Sequence, residues 1–278
     1  MTSSPRLRPR GRVVFMCGDL WGGRAALAVG VLLVCGGATL GAWNSTEDTR
    51  SLEPLPPMYL VKDINQVIFD PGDDYMTEMI VVGEHLFFSK FYDHGLWTSD
   101  GTFRGTVKVL DFDGGARLLT EVSGTVFLRE YGSSSVDNLW KSDGTVAGTV
   151  VVTEVGGAIS EMRGVADTLF MVVDDVVHGA ELWVSDGTAA GTELIKDINP
   201  GDGDSNIDRM TGVGNLLFFT AHDGTHGEEL WVSDGTPAGT TLVKDIASGL
   251  GSAFVDSLTE ADGIVYFAAS DGTDGVEL

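Results

Sequence analysis

The sequence predicts an all-β fold: a β-propeller-like array of four-stranded blades, with about four complete units and a partial fifth. Three observations predict it. A tryptophan-centred unit recurs along the chain. Each unit holds four short strand patterns separated by tight turns. No ten-residue stretch after residue 56 carries helical periodicity.

The unit reads GLWTSDGTFRGT from Gly95, NLWKSDGTVAGT from Asn138, ELWVSDGTAAGT from Glu181 and ELWVSDGTPAGT from Glu229. Its tryptophans, Trp97, Trp140, Trp183 and Trp231, are spaced 43, 43 and 48 residues apart. After each comes a β-rich run ending in an acid: Asp111, Glu154, Asp197 and Asp245. A lone copy of that run, MYLVKDI with Asp63, precedes the first tryptophan. A partial unit, VYFAASDGTDGVEL, closes the sequence.

One unit shows how the elements follow. Between Ser205 and Ile246, NIDRMTGVG alternates and ends in glycine, and NLLFFTAHD is apolar and aromatic. EELWVSD follows a Gly-containing turn, and TTLVKDI follows an Asp-Gly turn that supplies a residue at positive φ. Four strands in 43 to 48 residues match a propeller blade. A sandwich needs no near-identical units, and a parallel β-helix has a shorter coil. The 38 glycines are spread along the chain, as many turns require.

The eighteen-mer ELWVSDGTPAGTTLVKDI resembles the repeat of the bacterial ELWxxDGT repeat proteins. The resemblance spans 58–278 and is best in the third and fourth units, since Gly95 and Asn138 stand where the motif has Glu. It implies tandem blade-like repeats and an exported or surface location. It implies no particular activity, because the family has none generally assigned.

An N-terminal segment, 1–43, precedes this body and reads as a signal peptide or membrane anchor. RLRPRGR forms a basic start, and residues 25–42 are apolar or small throughout, long enough to span a bilayer if uncleaved. Small residues at Gly36–Ala38 and Gly41–Ala42 offer cleavage sites, while Leu33-Val34 fit a lipoprotein pattern at Cys35 poorly. Residues 44–57 read as a linker, and 58–278 as the repeat domain. The lone MYLVKDI would complete the last blade by strand exchange. The sequence's end just before the next tryptophan position favours a piece of a longer array instead.

The chain carries 17 Lys+Arg against 41 Asp+Glu, a net charge of −24. Arg6, Arg8, Arg10, Arg12 and Arg24 lie in the N-terminal segment beside a single acid, Asp19, so the body is more acidic still. Such a body repels phosphate backbones and excludes nucleic acid as a partner. Both cysteines, Cys17 and Cys35, precede the body, which excludes a disulfide framework or thiolate metal site there.

The recurrence of Trp97, Trp140, Trp183 and Trp231 points to packing between blades. Asp100, Asp143, Asp186 and Asp234 sit in SDGT turns, where an Asx side chain bonds nearby backbone N–H groups. Calcium is the one metal that clustered carboxylates and turn carbonyls would suit, with Asp111, Asp113, Asp202 and Asp204 as its candidate ligands. The spacing of these acids does not fit an EF-hand loop, and no other cofactor is implied. His94, His178 and His226 each precede glycine and read as turn residues. No nucleophile elbow, zincin, P-loop or dinucleotide fingerprint occurs.

The expected function is that of an exported, non-enzymatic binding or scaffold protein presenting propeller loops to a protein or glycan partner. Any membrane contact would run through the N-terminal segment. A carbohydrate-active propeller enzyme, glycosidase or lyase, is the alternative, and a purely structural array the third reading. The loops that differ between units, NPGDGDSN and REYGSSSVDN, are where specificity would lie.

Overall fold

The computed structural model describes residues 76–90, 93–131, 136–272 and 276–277. The N-terminal segment, the linker and MYLVKDI lie outside the described residues. Every regular element described is a β-strand. Blade 1 contains β1 (Met76–Val82), β2 (His85–Lys90), β3 (Gly95–Ser99) and β4 (Val107–Asp111). Blade 2 contains β5 (Ala116–Val122), β6 (Thr125–Glu130), β7 (Asn138–Ser142) and β8 (Val150–Glu154). Blade 3 contains β9 (Ala158–Val165), β10 (Thr168–Asp175), β11 (Gly179–Ser185) and β12 (Glu193–Lys196). Blade 4 contains β13 (Asp208–Val213), β14 (Leu216–Ala221), β15 (Glu229–Ser233) and β16 (Thr241–Leu242). Blade 5 contains β17 (Asp256–Ala261), β18 (Ile264–Ser270) and β19 (Val276–Glu277).

Each blade is an antiparallel meander whose strands pair in chain order. The first strands β1, β5, β9, β13 and β17 are neighbours in that sequence, so the blades stand side by side with their first strands innermost. This is a β-propeller arrangement.

The core lies between blades rather than within them. Alternation along each strand sends one side chain to the preceding blade and the next to the following one. Phe87 and Leu96 of blade 1 meet Val126, Leu128 and Trp140 of blade 2. Phe127 and Leu139 of blade 2 meet Met162, Met171 and Trp183 of blade 3. Phe170 and Leu182 of blade 3 meet Leu217, Phe219 and Trp231 of blade 4. Leu230 and Phe218 of blade 4 meet Val255, Phe267 and Ala269 of blade 5. Each fully buried Phe or Leu stabilises its interface by about 1.5–3 kcal/mol.

Two features depart from four equal strands per unit. Strand β16 is only two residues long, although TTLVKDI reads as a full strand. The Val243 N–H still bonds Leu230 O at 2.9 Å, and the Glu229 carboxylate takes the N–H groups of Ile246 and Ala247 at 3.0 Å each. Among the described residues, nothing covers the forward face of blade 5. Tyr266, 48% exposed, holds the ladder position of Phe87, Phe127 and Phe170, which are 3%, 5% and 1% exposed.

Candidate functional site

The repeat motif resolves into a self-contained turn. In SDGTFRGT, Asp100 Oδ1 accepts from the Thr102 N–H at 2.8 Å and the Thr102 hydroxyl at 2.7 Å. Thr102 Oγ1 in turn accepts the Gly105 N–H. Ser99 Oγ accepts the Gly101 N–H and shares a hydrogen bond with Thr106 Oγ1. The same set recurs around Asp143, Asp186 and Asp234. The threonine hydroxyls hold all four carboxyls below the usual aspartate value.

Both motif glycines have a steric reason. The first adopts positive φ, for example 90° at Gly144 and 82° at Gly187. The second lies under the Asp carboxylate, so a Cβ at Gly105, Gly148, Gly191 or Gly239 would overlap it. The first glycine also receives the neighbouring blade. A Cβ on Gly144 would lie 3.0 Å from Phe87 Cζ, and one on Gly187 would lie 3.1 Å from Phe127 Cζ.

Trp140, Trp183 and Trp231 face the preceding blade. Trp231 is 5% exposed, Trp140 meets Phe112 edge-on at 5.2 Å, and Trp97 stacks on Phe88. Trp140 Nε1 donates to Glu130 Oε2 at 2.9 Å.

The first residue of the motif has a role that sequence reasoning missed. Glu181 and Glu229 are fully buried. Glu181 accepts the N–H groups of Ile198 and Asn199 at 2.9 and 3.1 Å, and the Ser205 hydroxyl as well. Glu229 holds the start of the next linker in the same way. Each is a latch between its blade and the segment leading to the following one. Burial pushes both carboxyls above the usual range, and the hydrogen bonds only partly offset it. In blade 2, where Asn138 replaces Glu, Asp137 Oδ2 accepts the Ile159 N–H at 2.7 Å. In blade 1, Gly95 leaves room for Lys108, which reaches both Asp93 and Asp111.

The other recurring acids also bond locally. Asp197 and Asp245 accept the N–H groups of Gly201 and Gly249 at 3.3 Å. His178 and His226 pair with Asp175 and Asp223 through Nδ1 at 2.9 and 2.8 Å. These hydrogen bonds raise both histidines and, against the opposing effect of burial, lower both aspartates. His94 sits at φ 55°.

The four aspartates expected as metal ligands are dispersed in their roles. Asp111 pairs with Lys108 Nζ at 2.7 Å, and the Asp113 N–H donates to Glu130. Asp204 accepts the Ala180 N–H at 2.9 Å, and Asp202 is exposed. Among the described residues, no group of three or more His, Cys, Asp or Glu is placed to hold a metal ion.

A second feature invisible in the motif lies on the inner strands. Glu78, Arg117, Glu161, Asp208 and Asp256 occupy the same ladder position in blades 1 to 5, one per blade, beside a β-bulge. The next residue is left-handed in three blades: Leu118 at 56°, Arg209 at 58° and Ser257 at 57°. Thr120, Thr211 and Thr259 brace those bends by donating to the carbonyl two residues back. The charges link adjacent blades. Arg209 Nη1 lies 2.5 Å from Asp256 Oδ1, and Glu78 Oε2 accepts the Leu119 N–H. Burial first, and then Asp208, raise the Glu161 carboxyl above the usual range.

Fold and site together define a propeller of sequence repeats. No family model matches the chain, and no curated protein matches it at a significant level. Solved structures similar to it include the computationally designed protein Ika8, 17% identical at a TM-score of 0.43, covering 72% of this chain and 57% of that one. TolB from Acinetobacter baumannii is 11% identical at a TM-score of 0.43, covering 72% and 53%. The β-propeller domain of the Trilobed protease from Pyrococcus furiosus, described as having an open velcro topology, is 11% identical at 0.37, covering 71% and 79%. The chain thus spans little more than half the length of the first and second of these.

Proposed function

We propose that this chain is an exported, non-enzymatic binding or scaffold protein of the ELWxxDGT repeat type, presenting loops of a propeller to a protein or glycan partner. The observation that carries the reading is that the motif's polar side chains are bonded within their own turn or linker. The motif therefore builds the blade and leaves recognition to segments that differ between copies. The supporting surface includes Val176 and Val177 at the β10–β11 tip, 95% and 63% exposed, and Leu250 and Phe254 in the linker after blade 4. The centre of the REYGSSSVDN loop, 132–135, lies outside the described residues. Export rests on the basic and apolar N-terminal segment.

The test is a glycan array and a panel of envelope proteins probed with the full chain and with a variant carrying Val176→Ser, Val177→Ser and Phe254→Ser. Binding lost in that variant, with unchanged melting, is the expected result. Binding that survives it overturns the loop reading. One observation favours the enzyme alternative: the half-buried Glu161, raised in pKa, beside Asp208 on the inner strands. Glycoside hydrolysis uses such a carboxyl pair. Turnover of a polysaccharide that Glu161→Gln abolishes would establish that alternative.

A further inference from the structure

Asp-Gly steps are chemically labile. The glycine nitrogen can attack Cγ of the aspartate, forming a C–N bond while a carboxyl oxygen and two protons leave as water. The resulting succinimide takes up water at either carbonyl. Breaking the Cγ–N bond restores aspartate, and breaking the other C–N bond leaves isoaspartate, with one extra carbon in the backbone. The reaction needs a free amide nitrogen, a mobile carboxyl and a flexible backbone, and glycine supplies the last.

The four turns that follow the tryptophans withhold the first two requirements. Ser99, Ser142, Ser185 and Ser233 each hold the glycine N–H through Oγ at 3.0–3.1 Å. The threonine two residues after each aspartate holds its carboxylate through two hydrogen bonds at 2.7–2.9 Å, which restricts its rotation. The lowered carboxyl pKa acts in the same direction, because water leaves from the protonated form. Other Asp-Gly steps have their own amide acceptors: His222 for Gly224, Glu260 for Gly263 and Ser270 for Gly272. Two steps differ. Among the described residues, nothing bonds the Asp202 carboxylate or the Gly203 N–H, and the same holds for the Asp113 carboxylate and the Gly114 N–H. Both aspartates are exposed. On either side of the Asp202 step the linker is pinned, by Asn199 bonding Asp204 O and by Ser205 bonding Glu181.

We infer that Asp202, and after it Asp113, is a site of spontaneous aspartate isomerisation, and that the motif's serine and threonine protect its own Asp-Gly turns from the same reaction. The products lie in linkers: Asp202 between blades 3 and 4, Asp113 between blades 1 and 2. An added backbone carbon there changes the spacing of two packed sheets.

The experiment ages the purified full chain at neutral pH and physiological temperature, then maps isoaspartate by enzymatic methylation and electron-transfer fragmentation of its peptides. Three hydrogen bonds per turn should suppress opening, so the Asp202 peptide is expected to exceed the Asp143, Asp186 and Asp234 peptides by at least about tenfold. In denaturant that difference should vanish. Ser185→Ala should raise isoaspartate at Asp186 and leave Asp143 and Asp234 unchanged. Thr188→Val makes the same test at an exposed residue, should the serine variant fail to fold. Gly203→Ala should lower the Asp202 signal by stiffening the backbone, with some displacement of the Asn199 amide that bonds Asp204 O. Equal isomerisation of Asp186 and Asp202 in the folded protein, or no rise at Asp186 in either variant, overturns the inference.

Discussion

Replacing Glu181 by alanine removes the acceptor for two backbone N–H groups and one hydroxyl at a position with no exposure to water. Each donor left buried and unpaired costs about 1–3 kcal/mol. Relief of the buried charge offsets part of this, because burial already raises the carboxyl's pKa. The net loss is therefore about 3 kcal/mol. For a chain of this size that lowers the melting temperature by roughly 6–12 °C. Glu181→Gln keeps one acceptor oxygen and loses the charge, so it should fall between wild type and alanine. Urea unfolding followed by tryptophan fluorescence measures the loss, and hydrogen exchange should show it first in 198–206. Asn138 occupies the equivalent position in blade 2 and among the described residues its side chain donates to Glu130 alone, so Asn138→Ala should cost much less. A Glu181→Ala protein within about 1 kcal/mol of wild type would refute the latch, since that is less than one lost donor.

Stability should peak on the acid side of neutrality. The folded-state pKa values of Glu181, Glu229, His178 and His226 are raised, so their contribution is complete below the unfolded values and fades as pH rises through the folded ones. Asp175 and Asp223 are lowered, and their contribution fades as pH falls through the folded values. A melting temperature that rises steadily from mildly acidic to alkaline pH would contradict this. Phe170→Ala should cost about 3–5 kcal/mol by emptying the interface between blades 3 and 4, whereas Val176→Ser at an exposed tip should stay within about 0.5 kcal/mol, both read by urea titration. Gly148→Ala should cost about 1–3 kcal/mol because its Cβ meets the Asp143 carboxylate, while Ala147→Gly in the same turn should cost less, again by urea titration. Melting in calcium and in EDTA should coincide, and a calcium-dependent rise of several degrees would support Asp111, Asp113, Asp202 and Asp204 as ligands.

The blade plan was legible because it repeats: tryptophan spacing, Asp-Gly turns and strand periodicity all mark the same unit. The latch was not. Glu181 and Glu229 sit beside Leu and Trp, where a carboxylate reads as an outward side chain, and their partners are backbone amides 17 and 18 residues on. The inner-strand charges were hidden for another reason. Glu78, Arg117, Glu161, Asp208 and Asp256 share a place but not a residue type, so the motif gives no signal there. The left-handed bends at Leu118, Arg209 and Ser257 carry no glycine to announce them.

The approach of Phe87 to Gly144, of Phe127 to Gly187 and of Phe170 to Gly235 gives blades 1 to 4 a shared polarity. One face offers an aromatic tip, and the other offers the bare turn that receives it. Because the pairing recurs at the three joints from blade 1 to blade 4, one of these units can be duplicated or deleted without redesigning its neighbours. Growth by copying thus needs no new interface, only that the two ends of the inserted piece be cut in the same frame.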